Sequence, residues 1–279
     1  MLPLLPQAND LTTLGADGSA CNLFADQEQE LRSRRVPLAL TLVLVESALQ
    51  LVPNEILSHP QIKHYAKKRR KAADEILLDR SFHHSAMQRL ARMPYPIPAD
   101  KMGRPDIVHN TLLQVLETPL NWEGLLRVFV HTQDEHVISI NPKVRLPKNY
   151  IRFIGLIEQL FAKKRVPKEG EPLLRIERMS LQQLATICGP TEVLGFSTQG
   201  KPAFIRDVAE FASTLKSPLT LIGGFPRGHF TEKTKQLVKE TFSVDKRPLD
   251  AWVVAGRFVY DFEWSIGLAK TRLKIQKPM

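Results

Sequence analysis

Ser217-Pro-Leu-Thr-Leu-Ile-Gly-Gly-Phe-Pro-Arg-Gly228, followed by Arg247-Pro-Leu-Asp-Ala-Trp252, is the part of the sequence that decides the fold class. The apolar run 219–222 ends in three glycines over six positions, and Thr231 stands where it can cap a helical segment reaching about residue 241. The order predicts strand, loop, helix. Glycines at the carboxyl end of a strand let the main chain approach a ligand closely, and in open α/β sheets that end is where ligands sit. The spacing Gly-Gly-x-x-x-Gly fits neither the dinucleotide pattern G-x-G-x-x-G nor the phosphate loop G-x-x-x-x-G-K-[ST], and no lysine is placed to cradle a triphosphate. On spacing alone, a nucleotide-like ligand and a glycine-rich turn without a ligand both stay open.

Outward from this loop the same alternation recurs. Residues 38–45 predict a buried strand, and 46–57 a helix-like segment with Leu49, Val52 and Ile56 on one face. Ser58 and Pro60 mark the next helix start. Prolines 94, 96 and 98 punctuate a loop, 106–117 predicts a helix, and 125–131 with 136–140 a pair of strands across a short turn. Strand-like pieces at 173–176 and 195–204, a helix at 207–215 and a final helix from 248 to about 263 complete the chain. The expected fold is α/β, a mostly parallel sheet flanked by helices. Residues 1–35 read as a flexible, polar N-terminal extension and 36–279 as one domain, with a basic helical insertion at about 58–100 and an inserted β-hairpin extension at about 125–150.

Composition narrows the function. Lys and Arg outnumber Asp and Glu by 39 to 29 in 279 residues, a net charge of +10 that favours polyanionic partners such as nucleic acid or an anionic surface. With 43% hydrophobic residues the chain can bury a sizeable core. Two cysteines, Cys21 and Cys188, in no C-x-x-C context indicate neither a disulfide framework nor a structural zinc, so a reducing cytoplasm is expected and no metal. The longest apolar run, 37–45, is too short to span a bilayer.

The positive charge is clustered. Lys63, Lys67, Lys68, Arg69, Arg70 and Lys71 carry no acid among them, while Ile62, Tyr65, Ala72, Ile76 and Leu77 keep an apolar helical stripe. Such a run is either a solvated helix face or an attractor of phosphates. Asn141-Pro-Lys-Val-Arg-Leu-Pro-Lys-Asn-Tyr-Ile-Arg152 is a second acid-free segment, stiffened by two prolines. A third cluster, Lys163, Lys164, Arg165 and Lys168, falls at a helix end where the macrodipole alone accounts for it. Asp79, His83 and His84 lie close in sequence, but adjacent histidines point apart on a helix, which favours packing or RNA contact over a metal.

Five separated blocks then agree in order with one family. Leu42-Val-Leu-Val-Glu-Ser-Ala-Leu-Gln-Leu-Val-Pro53, Glu75-Ile-Leu-Leu-Asp-Arg-Ser-Phe-His-His-Ser-Ala-Met87, Gly103-Arg-Pro-Asp-Ile-Val-His109, Asn141-Pro-Lys-Val-Arg-Leu-Pro147 and Ile222-Gly-Gly-Phe-Pro-Arg-Gly228 with Arg247-Pro-Leu249 resemble the ribosome-assembly pseudouridine N1-methyltransferases of the SPOUT superfamily, in their archaeal branch. The resemblance covers about residues 37–265. It implies an enzyme that uses S-adenosylmethionine to methylate N1 of a pseudouridine in a small-subunit ribosomal RNA hairpin. It also implies a role in ribosome biogenesis, a homodimer, ribosomal proteins or assembly factors as further partners, and a C-terminal trefoil knot, a topology that general fold rules disfavour.

By that resemblance Gly223, Gly228, Val244, Asp245, Lys246, Arg247, Pro248 and Leu249 bind the cofactor. Arg104, Arg145, Lys148 and Arg152 meet RNA, and Asp106 aims Arg104 or accepts the N1 proton. The family usually has arginine where this chain has Lys148, which replaces a two-pronged phosphate contact by a point charge. Pseudouridine is joined to ribose through carbon and keeps a free N1–H, so the enzyme's task is chiefly positioning. The alternatives are a non-enzymatic rRNA-binding assembly factor, whose basic surface is its function, and an unrelated nucleotide-using α/β enzyme, against which both glycine patterns already count.

Overall fold

A computed structural model describes residues 40–273, all within the compact unit Leu38–Met279. The expected extension at 1–35, with Cys21, lies outside the described residues. In chain order the elements are β1 (Leu40–Ser47), α1 (Pro60–Arg69), α2 (Arg80–Leu90), α3 (Pro105–Leu116), α4 (Pro119–Trp122), β2 (Leu126–Thr132), β3 (His136–Ile140), α5 (Tyr150–Lys163), β4 (Arg165–Val166), β5 (Leu174–Arg178), α6 (Leu181–Cys188), β6 (Glu192–Pro202), α7 (Ile205–Thr214), β7 (Pro218–Gly223), α8 (Glu232–Leu237), β8 (Glu240–Ser243), α9 (Ala251–Ser265) and α10 (Leu268–Leu273). No helix among the described residues is long and apolar enough to cross a membrane.

The strands form one eight-stranded sheet in the order β4-β5-β3-β2-β1-β7-β6-β8. From β2 to β8 every neighbouring pair is parallel, and β3, β5 and β4 continue the sheet antiparallel. β1 is central and buried along its whole length, which is why 40–47 reads as a continuous apolar run without alternation. β2 and β3 pair antiparallel, yet β2 also pairs with β1, so the two belong to the main sheet and do not stand outside it as a hairpin.

Helix α9 packs on α3 and α7, and the principal core runs from Leu42 and Leu44 through Val108 and Leu112 to Phe258 and Phe262. A second core, with Val52, Ile62, Ile76, Leu90 and Met102, underlies α1 and α2. It gives α1 and α2 an interior of their own.

Two expectations are corrected. Residues 46–57 are not a helix: β1 runs to Ser47, Leu51 bridges Leu77, and only a 3-10 turn, Asn54–Ile56, follows. Proline at 53 disfavours the helical state for Val52. Leu49 packs into the principal core while Val52 and Ile56 enter the second, so one apparent stripe serves two interiors. The helix capped by Thr231 is real but stops at Leu237, and β8 occupies Glu240–Ser243. Lys239 N donates to Val193 O at 2.8 Å, and pairing with β6 overrides local helical preference there.

Candidate active site

Where β7 and β8 end, a cavity of about 530 Å³ opens. Its base is Ile222 and Gly223, one wall is the glycine loop from Phe225 to Phe230, and the opposite wall is the turn 243–249 with Trp252 and Val254 of α9. Phe196, Ser197 and Thr198 of β6 close a third side, and Arg104, just before α3, with Ile107 of α3 the fourth. Seven of the eight positions expected to hold a cofactor line this space: Gly223, Gly228, Val244, Asp245, Arg247, Pro248 and Leu249. Lys246 instead lines a neighbouring groove with Lys201, Phe204 and Asp207. The turn 243–249 is held by Arg247 N donating to Asp245 Oδ1 at 2.8 Å and by Ser243 Oγ donating to Asp245 O at 3.1 Å.

The glycine loop is anchored from behind. Gly224 N donates to Val45 O at 2.8 Å and Ala48 N to Gly224 O at 2.9 Å, so the loop continues the β1–β7 ladder past the strand ends. A Cβ at Gly224 would fall on Ser47 Oγ and within 2.9 Å of Ser47 Cα, which is why this approach needs glycine. Gly228 has φ +91°, a left-handed conformation that side chains resist.

Glu46, buried at the tip of β1 with φ +51°, accepts from Thr231 N at 2.7 Å and Thr231 Oγ1 at 2.8 Å. Lys101 Nζ reaches Glu46 Oε2 at 3.2 Å and His229 O at 2.5 Å, and stands 4.3 Å from the centre of the Phe225 ring. Sequence reasoning missed this brace. Glu46 sat in a quoted block with nothing local to mark it, and Lys101 is brought to it by the fold.

Arg104 precedes Pro105, the first residue of α3, and its guanidinium grips Asp106 through Nε at 2.8 Å and Nη2 at 2.7 Å. The hydrogen-bonded Asp106 carboxylate raises the Arg104 pKa above its ordinary value, outweighing the opposite pull of partial burial. The pair fixes a permanently charged fork at the cavity mouth, with Nη1 left unpartnered among the described residues. Arg104 N also donates to Ala48 O at 3.1 Å, tying this arginine to the tip of β1.

Arg145, Lys148 and Arg152 are exposed and form no ion pair among the described residues. They are held by a pinned backbone. His109 Nε2 meets Pro147 O at 2.8 Å and its ring stacks on Phe153 at 4.3 Å, while Asn149 caps α5 by accepting from Arg152 N at 3.1 Å. Tyr150 donates its hydroxyl to Asp79. Burial, and then that bond, push the Tyr150 pKa far up, so it stays a donor. The stiff cationic segment thus leans on α3 one turn beyond Arg104.

The first basic cluster is partly spent. Glu158, with a side chain at 0% exposure, accepts from Arg69 Nη2 and Lys71 Nζ, each at 2.8 Å, and from Leu77 N at 3.2 Å. An acid distant in sequence therefore claims two of the six cations. His83 is buried, its Nδ1 accepting from Asp79 N at 3.0 Å and its ring edge-on to Tyr65, and burial lowers its pKa to about 4. It packs as a neutral ring, and among the described residues no cluster of three or more His, Cys, Asp or Glu could hold a metal ion.

The profile of the EMG1/NEP1 methyltransferase family matches residues 42–263. The chain is 38% identical over 227 residues to "Ribosomal RNA small subunit methyltransferase Nep1" of Pyrococcus furiosus, covering 81% of this chain and 97% of that protein. The protein of the same name from Thermococcus kodakarensis is 40% identical over 229 residues, with 82% and 100% covered. Among solved structures, Archaeoglobus fulgidus Nep1 bound to S-adenosylhomocysteine superposes with a TM-score of 0.71 at 31% identity, covering 82% of this chain and 99% of that one. The chain belongs to the EMG1/NEP1 methyltransferase family.

Proposed function

We propose that this protein transfers a methyl group from S-adenosylmethionine to N1 of a pseudouridine in a small-subunit ribosomal RNA hairpin, as a homodimer in the cytoplasm. One observation carries the reading. Arg104, the arginine expected to meet RNA, shares a cavity with the glycine loop and the 243–249 turn expected to hold the methyl donor. A space of about 530 Å³ falls within the range of ligand pockets. Both loops line it, Phe196 and Trp252 offer flat apolar surface for a nucleobase, and Asp245 and Asp250 offer carboxylates to a cation. These residues fit a nucleoside carrying a positively charged sulfur.

When bound, S-adenosylmethionine supplies a methyl carbon activated by its sulfonium. The residues of this chain do the rest. Gly223, Gly228 and the 244–249 turn fix the donor's position, and Arg104, aimed by Asp106, draws the target nucleotide's phosphate to the cavity mouth. Arg145, Lys148 and Arg152 hold the flanking backbone so that a loop or unstacked nucleotide enters. There these residues would hold N1 beside the methyl carbon, and water or Asp106 would take the N1 proton.

We propose that the C-terminal knot lies at β6 and β8. Phe242 pairs both with Phe196 and with Lys201, and a Cβ at Gly200 would come within 2.6 Å of the Phe242 backbone, so residues 197–200 pass tightly over β8. That geometry supports a threaded chain. The test of function is incubation with methyl-labelled cofactor and matched hairpins carrying uridine or pseudouridine. Label should enter the pseudouridine hairpin alone, at N1. Equal labelling of uridine would defeat the specificity, and salt-sensitive RNA binding with no cofactor affinity would point to an assembly factor instead.

A further inference from the structure

Helix α1 carries more cation than its packing uses. Ile62, Ala66 and Arg69 face inward, Arg69 to Glu158. One helical step round, Lys63 and Lys67 fall at i and i+4 on an exposed stripe with Lys68 beside it, and Arg70, exposed at the left-handed C-cap, follows the last turn. None of these four forms an ion pair among the described residues. Over seven residues, from Lys63 to Arg70, these cations extend about 10 Å along the helix axis. Six cations in 63–71, set against Glu158 and the nearby Asp74 and Glu75, leave three in excess. The field is therefore net positive with its own acids counted.

Its position is fixed by α5. The Cβ position of Gly155 lies 3.8 Å from Arg69 Nη2, and Arg152 stands one turn earlier on the same helix. The carboxyl end of α1 is thus clamped through Arg69 against α5, at a point one turn along that helix from Arg152. Resting on the function proposed above, we propose that Lys63, Lys67, Lys68 and Arg70 form a second phosphate-binding track, which grips the double-stranded stem of the RNA hairpin while Arg104 and the 145–152 cations hold its loop. The contact is to backbone phosphates and reads no sequence.

The test measures RNA affinity of the full chain as a function of salt, with a short-stemmed pseudouridine hairpin and the same loop on a stem longer by about one helical turn. A variant combining Lys63→Gln, Lys67→Gln, Lys68→Gln and Arg70→Gln keeps helix-forming residues throughout. Its salt slope on the long stem should fall by about three, since each of the four phosphate contacts contributes roughly 0.7–0.9. Affinity for the short hairpin and for the cofactor should change by less than about threefold. Should the fourfold variant melt early, the exposed pair Lys67→Gln with Lys68→Gln should lose about half as much slope.

Equal slopes for variant and wild type on the long stem overturn the track, as does a loss confined to anionic vesicles. Arg104→Ala serves as the reference. If it weakens both hairpins and the α1 variant weakens neither, the track fails and the enzyme reading stands. If the wild type binds neither hairpin, the enzyme reading itself fails.

Discussion

At the scale of single residues the pairing of Arg104 with Asp106 makes the sharpest prediction. Asp106 spends both oxygens on the guanidinium, an arrangement suited to aiming the arginine. Charge-assisted hydrogen bonds contribute about 1.5–3 kcal/mol each, so Asp106→Ala should lower kcat/KM by about 10- to 100-fold through weaker RNA binding. The pH–rate profile should keep its shape. An Asp106→Asn enzyme that binds RNA normally but loses one limb of that profile would make the carboxylate the proton acceptor. His83 makes a prediction about stability. Its folded pKa of about 4 lies below the ordinary 6.5, so the unfolded chain binds the proton more readily. Stability is then complete above about pH 6.5 and lost as pH falls toward 4, by up to about 3 kcal/mol. Burial lowers the pKa of His131 too, adding in the same direction. Urea melts from pH 8 to 4.5 should show the loss, and His83→Phe should flatten it.

At the scale of elements, the loop after β7 works because it continues a ladder. Gly224→Ala would drive its methyl into Ser47, backbone included, and neither β1 nor the loop can yield without breaking the two hydrogen bonds that join them. Cofactor affinity measured by calorimetry should fall at least about tenfold, with destabilisation of about 1–3 kcal/mol from overpacking. Near-normal affinity would mean the loop is not part of the donor site. How much of this was legible in the sequence follows from the same physics. Elements set by local signals read well: the continuous apolar run of β1, Pro60 at the start of α1, Thr231 as a cap. Elements set by distant partners did not. β8 is four residues long and exists because β6 pairs with it; the apparent stripe at 46–57 was divided between two cores; and the brace of Glu46 on Lys101 spans 55 residues. The glycine loop and the turn before α9 were legible as a pair through resemblance to a family, whereas their convergence on Arg104 in one cavity is a property of the fold.

At the scale of the whole molecule, the surface carries apolar groups that no internal packing explains. Phe204 is 79% exposed at the start of α7, and Tyr260 and Trp264 on α9 are 56% and 46% exposed. Phe204 and Tyr260 line one shallow groove, and Trp264 follows Tyr260 by one helical turn, so the three make a continuous strip. Scattered exposed apolar residues need no explanation, but a contiguous aromatic strip rimmed by Arg206, Arg257 and Asp261 is the composition of an interface core with a polar rim. A twofold homodimer uses the same patch on both copies. The strip is adjacent to Lys246 and the groove beside the donor cavity, so pairing there would also stiffen the 243–249 turn. In the proposed homodimer, Phe204→Asp combined with Tyr260→Asp should therefore shift the protein from dimer to monomer in analytical ultracentrifugation, because two copies of each introduced charge would be buried against one another. The exposed positions should leave the fold intact by circular dichroism, and cofactor affinity should weaken as the turn loosens. A double variant that remains dimeric at micromolar concentration would place the dimer contact on another face and leave this strip unexplained.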